Sequence, residues 1–130
     1  GKKPEMPDDK VIKRLKFREM MIKEEDSPLT AIIWNYFSAV SDRWPEAWNS
    51  NDQGIMLSKT NGFMALMRFL RDIYVSKDKI NTVISKNEFL SILNNIDIKD
   101  SYFNVDNYKP GTSGESALYR DLKEKSQLGI

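Results

Sequence analysis

The chain has 130 residues, 40% of them hydrophobic, with twenty basic and nineteen acidic side chains. That is enough apolar material for one modest core, and a charge balance that excludes a surface basic all over and built to grip nucleic acid. It has no cysteine and no histidine, which excludes disulfides, zinc knuckles and thiol nucleophiles, and also the Ser-His-Asp triad and the commonest general base.

Residues 1–9 are polar with two prolines and read as a flexible entry. Residues 10–130 read as a single helical domain, expected to be the C-terminal portion of a larger protein. From Lys10 the pattern predicts a helix with Val11, Leu15 and Ile22 on one face. Lys10, Lys13, Arg14, Lys16 and Arg18 crowd its first half with no acid among them. They are candidate contacts to a nucleic-acid backbone, although the same residues also suit a solvated helix face.

Ser27-Pro28 is a helix start, with serine as N-cap and proline at the first position. Leu29, Ile32, Ile33, Tyr36, Phe37, Val40 and Trp44 then recur at three- and four-residue steps, predicting a core-facing stripe. Trp44-Pro45-Glu46-Ala47-Trp48 closes this helix, and Asn49–Gly54 is a loop. A third helix is expected within Leu57–Val75, with Gly62 either opening it or admitting a close backbone. The two stripes predict mutual burial of Trp34, Phe37, Trp44, Phe63, Leu66, Met67 and Leu70.

Ser85 and Glu88 form a capping box for a short helix. Asn94–Lys109 reads as an ordered loop, possessing at most one short extended piece. The last helix is entered through Lys109-Pro110-Gly111-Thr112-Ser113-Gly114-Glu115-Ser116. Thr112 and Glu115 have capping-box spacing, placing the start near Ser113. A helix start aims unpaired N–H groups outward and carries about half a positive charge, so it can hold an anion. Gly111, Thr112, Ser113, Gly114 and Ser116, with Lys59, are the candidate phosphate-binding residues. The plain alternative is that this loop only begins a helix. No internal repeat and no convincing strand pair are apparent. The fold class expected is all-α, with about five helices around one small core and a long ordered loop before the last.

No cofactor is implied, and no carboxylate set has metal-site spacing. The Asp97, Asp100 and Asp106 spacing is not that of an EF-hand, and Gly111–Gly114 lacks the Gly-Lys-Ser/Thr ending of a P-loop. No apolar run approaches the ~18 residues of a membrane span, and a cytoplasmic protein fits.

Three segments in order carry a resemblance. They are Trp34-Asn35-Tyr36-Phe37 leading to Trp44-Pro45-Glu46-Ala47-Trp48, then Leu57-Ser58-Lys59-Thr60-Asn61-Gly62-Phe63-Met64-Ala65-Leu66-Met67-Arg68, then Pro110-Gly111-Thr112-Ser113-Gly114-Glu115-Ser116-Ala117-Leu118-Tyr119. Together, over roughly residues 27 to 122, they resemble the C-terminal part of DGQHR-domain proteins, a DndB-like bacterial family that includes a regulator of DNA phosphorothioation. The Asp-Gly-Gln-His-Arg motif that names the family is absent, so no catalytic residue carries over. The resemblance implies a non-catalytic helical module linked to DNA modification or defence. It would assist DNA or nucleotide and phosphate engagement, with Lys59, Thr60, Gly111, Ser113 and Gly114 in supporting or DNA-contacting roles. The partners expected are DNA, held weakly through its backbone, the rest of the parent chain, and a protein partner, with no membrane. The alternative is a protein–protein interaction domain with no nucleic-acid role.

Overall fold

A computed structural model describes residues 28–77 and 82–129. The expected first helix, with Lys10, Lys13, Arg14, Lys16 and Arg18, lies outside the described residues, as does Ser27. The described part is all-α. Its helices are α1 (Pro28–Arg43), α2 (Pro45–Asn49), α3 (Thr60–Lys77), α4 (Lys86–Asn94) and α5 (Thr112–Ser126), with a 3₁₀ turn at Asp100–Tyr102 before α5.

The α1 stripe forms largely as its spacing dictates. Ile33, Tyr36, Val40 and Trp44 are buried. The Tyr36 hydroxyl donates to the Leu66 carbonyl at 2.7 Å, tying α1 to α3. Phe37 is only half-buried and stacks between Trp48 and Phe63, with centroids at 5.2 and 5.4 Å. Phe63 and Met67 are half-buried too. Trp34 departs from the expectation, being 61% exposed. The buried face runs through Ile33, Tyr36 and Val40, and one further residue turns the side chain about 100° away from it. Leu29 likewise is exposed.

Trp44 is where α1 stops, and Pro45 opens α2 at once. The indole is fully buried and donates through Nε1 to the Ile98 carbonyl at 2.8 Å, so it plugs the end of the core. Arg43 beside it donates to the carbonyls of Leu93 at 3.2 Å and Ile96 at 2.7 Å. These are last-turn carbonyls of α4 and its exit, which a helix alone leaves unpaired. Asp100 does the complementary job for α2. Its carboxylate accepts from the Glu46 and Ala47 N–H groups, each at 2.9 Å.

The long loop before α5 is therefore ordered. Ile96, Ile98, Phe103 and Tyr108 are buried in it. Its extended piece is a single bridge, Ile55 to Asn104, flanked by Met56 N–H to Phe103 oxygen at 2.8 Å and Val105 N–H to Gly54 oxygen at 2.9 Å. At Ser85 the expected cap forms, since the hydroxyl accepts from the Glu88 N–H at 3.1 Å.

At α5 the capping box does not form. Thr112 is already the first helical residue, and the cap position falls on Gly111, with φ +86 and no side-chain bond. Only glycine adopts that backbone cheaply. Glu115 meanwhile turns to Arg68, Oε2 to Nη1 at 3.3 Å, instead of back to the loop.

The expectation of no internal repeat does not hold: two stretches of the sequence repeat, and the structure shows what they build. Residues 60–70 read TNGFMALMRFL and residues 112–122 read TSGESALYRDL, identical at the first, third, sixth, seventh, ninth and eleventh positions. Both stretches open a helix, α3 and α5. In both, the third residue is a glycine pressed on the carbonyl five residues earlier. A Cβ on Gly62 would lie 2.2 Å from the Leu57 oxygen, and one on Gly114 would lie 1.7 Å from the Lys109 oxygen.

Candidate functional site

The two glycine-opened helices pack side by side. The Asn61 side chain donates to the Lys109 carbonyl at 3.0 Å, Arg68 meets Glu115, and the Tyr119 hydroxyl donates to Asp72. Moving along α3, the partners move along α5 in the same direction, so the helices run parallel. Counting each from its first threonine, α3 leads by four or five residues at every contact. At a 1.5 Å rise that stagger is roughly 7 Å, or a little over one turn.

The step left by the stagger is a cleft of about 780 Å³. The loop side contributes Asn51, Asp52 and Gln53. The α3 start contributes Lys59, Thr60 and Asn61, and the α5 start contributes Pro110, Gly111, Thr112 and Glu115. Gly54 and Asp52 shape the loop, the Asp52 carboxylate accepting from the Gly54 N–H at 2.7 Å. Lys59 holds the loop from the other side, its ammonium donating to the Gln53 carbonyl. Asn61 is buried, and its side-chain Oδ1 accepts from the Gly62 N–H at 2.9 Å.

Of the phosphate candidates, Lys59, Gly111 and Thr112 are thus brought together. A Cβ at Gly111 would meet nothing within 4 Å, so the backbone there is open. The other candidates fall elsewhere. Gly114 is buried against the Lys109 backbone and makes a packing contact. Ser113 is exposed, Ser116 is half-buried, and neither lines the cleft. The cause is rotation. Successive helical residues turn about 100°, so residues consecutive in the loop motif cannot all face one side once the helix has begun at Thr112. Asn51, Asp52, Gln53, Asn61 and Glu115 were missed as lining residues. The polar Asn49–Gly54 stretch is the available signal, but pairings distant in sequence, Gly54 with Val105 and Met56 with Phe103, bring it to the α5 start.

The seam beneath the cleft is polar and ring-backed. The Arg68 guanidinium lies 4.0 Å from the Tyr119 ring centre, and Lys123 approaches the same ring at 5.2 Å. Such stacking contributes about 0.5–1 kcal/mol at partly exposed sites. On the other side of α5, the Tyr108 hydroxyl donates to Asp121 at 2.6 Å. Burial raises the Tyr108 pKa well above its ordinary value, and the neighbouring carboxylate raises it further. Among the described residues no three carboxylates gather as a metal site, and no helix is long and apolar enough to cross a membrane.

No protein-family model matches the chain, and no curated protein or solved structure is similar to it.

Proposed function

We propose that the chain is a non-catalytic helical module of a DGQHR-type bacterial protein linked to DNA modification or defence. Its staggered cleft engages an anionic group, a phosphate of DNA or of a nucleotide-bearing partner. The observation that carries the reading is the convergence of two helix starts and Lys59 on one cleft of mixed lining, Met56 and Val105 included, with an open glycine turn. Helix starts attract anions through unpaired N–H groups and the macrodipole. Asp52 and Glu115 also line the cleft. Arg68 offsets the Glu115 charge, while Asp52, held by the neutral Gly54 N–H, keeps its charge and is balanced only by Lys59 nearby in the lining. The basic segment Lys10–Arg18 would add backbone contacts that carry no sequence preference.

Amide NMR during a titration with inorganic phosphate tests the cleft. Shifts should localise to residues 59–61 and 111–112 at millimolar phosphate, and Lys59→Gln should weaken them. No localised shift would reject the cleft as a phosphate site. Duplex DNA binding by fluorescence anisotropy at low salt tests the basic segment, and a triple Lys13, Arg14, Lys16→Ala variant should bind more weakly. A protein-interaction reading is favoured by one observation, the 61% exposed Trp34 on α1, because large exposed aromatics are enriched where partners dock.

A further inference from the structure

The repeat has a second level, in how its two copies are used. The face of α3 that docks α5 carries Asn61, Arg68 and Asp72, which make the contacts to Lys109, Glu115 and Tyr119. These are the second, ninth and thirteenth residues counted from Thr60, and they fall within about 40° of one another around the helix. Counted the same way from Thr112, the equivalent residues of α5 are Ser113, Arg120 and Glu124. The chemistry repeats with the spacing: a small hydrogen-bonding residue, an arginine, an acid. All three are exposed. This face lies on the opposite side of α5 from buried Gly114, Leu118 and Leu122.

We infer that the outer face of α5, centred on Ser113, Arg120 and Glu124, is a docking surface for a partner helix that repeats the α3–α5 contact. The occupant is a helix with a carboxylate and a tyrosine four residues apart, as Glu115 and Tyr119 stand on α5. It would lie parallel to α5 with the same stagger. Arg120 would then sit between carboxylate and ring as Arg68 does, and Glu124 would accept from the tyrosine hydroxyl as Asp72 does. A second copy of this chain does not supply such a helix. Its Glu115 and Tyr119 are engaged by its own α3, and α3 carries Phe63 and Met67 at the equivalent positions. The partner is therefore another polypeptide, and the contact is independent of the phosphate cleft.

The probe is a synthetic peptide of residues 109–126, locked as a helix by a hydrocarbon staple replacing its Ser113 and Ala117 on the side away from the contact. Titrated into the ¹⁵N-labelled full chain, it should shift the amides of Ser113, Arg120 and Glu124. Arg120→Glu in the protein should weaken binding at least about tenfold, and a peptide with Lys in place of its Glu115 should restore it. The charge-reversal rescue is an outcome that mere loss of fold would not produce. Absence of binding by the helical peptide, shifts confined to another face, or binding indifferent to Arg120→Glu would each overturn the inference.

Discussion

α3 and α5 begin in the same way and end up in different surroundings. Each starts Thr-x-Gly, seats its glycine on the carbonyl five residues back, and buries the leucines that follow. In α3 the fourth and eighth residues are Phe63 and Met67, half-buried, with Phe63 stacked on Phe37. In α5 the same positions are Glu115 and Tyr119, engaged by Arg68 and Asp72. The shared residues make a helix start rigid and bury one side of it. The differing residues decide what the other side meets: an aromatic cluster for α3, a polar seam and a cleft for α5.

The largest expected effect tests the shared part. Gly62→Ala and Gly114→Ala each drive a methyl into a backbone carbonyl that has no rotamer to escape through, and each should cost about 3 kcal/mol or more in denaturant melts. Gly54→Ala, whose new methyl would meet only the Asp52 carboxylate at 3.2 Å, should cost under about 1 kcal/mol. If only one of the two helix-start glycines proved sensitive, the starts would not be equivalent.

Next comes the side of α5 that has no counterpart in α3. Buried Tyr108 is held neutral, its pKa raised first by burial and then by Asp121. A folded-state pKa above the unfolded value of about 10 gives stability that is complete below pH 10 and lost as pH rises above it. Thermal melts should therefore hold level to about pH 9 and fall steeply beyond pH 10. Tyr108→Phe should flatten that alkaline fall. An unchanged alkaline profile in this variant would place the sensitivity elsewhere, Tyr36 being the other deeply buried tyrosine raised by burial.

Capping sharpens the contrast at smaller scale. Asp100→Ala removes two bonds to α2 and should cost about 1–2 kcal/mol. Ser85→Ala removes one cap bond and should cost about 1 kcal/mol. Thr112→Ala removes none, because glycine occupies the cap of α5, and should stay within about 0.5 kcal/mol. A Thr112→Ala loss as large as that of Ser85→Ala would restore the capping box.

The legible parts of this chain are those written in helical period. Ile33, Tyr36, Val40, Leu66 and Leu70 announce their burial by spacing, and Ser85 announces its cap. Trp34 misleads because size and aromaticity are no guide to which way a helix turns. The cleft is poorly legible for a different reason. It is built by long-range backbone contacts, Gly54 with Val105 and Asn61 with Lys109, and no local pattern encodes such pairs. Thr112 and Glu115 have the spacing of a box, yet a glycine turn and a competing arginine 47 residues away in sequence decide otherwise. The repeat is legible in the letters, six identities in eleven, but it is short and lies in helices with differing neighbours, and its role shows only once both glycines are found against equivalent carbonyls.

The measurement that bears most directly on the account compares the two arginines at the same place in the two starts. Arg68 lies against the Tyr119 ring, whereas Arg120 is exposed on the outer face. In side-chain NMR spectra of the full chain, ring current should move the Arg68 δ-protons and Nε–H upfield, and Tyr119→Leu should abolish that shift. Arg120 should stay at solvent-exposed values in both proteins. Equal shifts for the two arginines, or an Arg68 shift that survives Tyr119→Leu, would contradict the staggered parallel pairing of α3 and α5 on which the cleft and the docking face both rest.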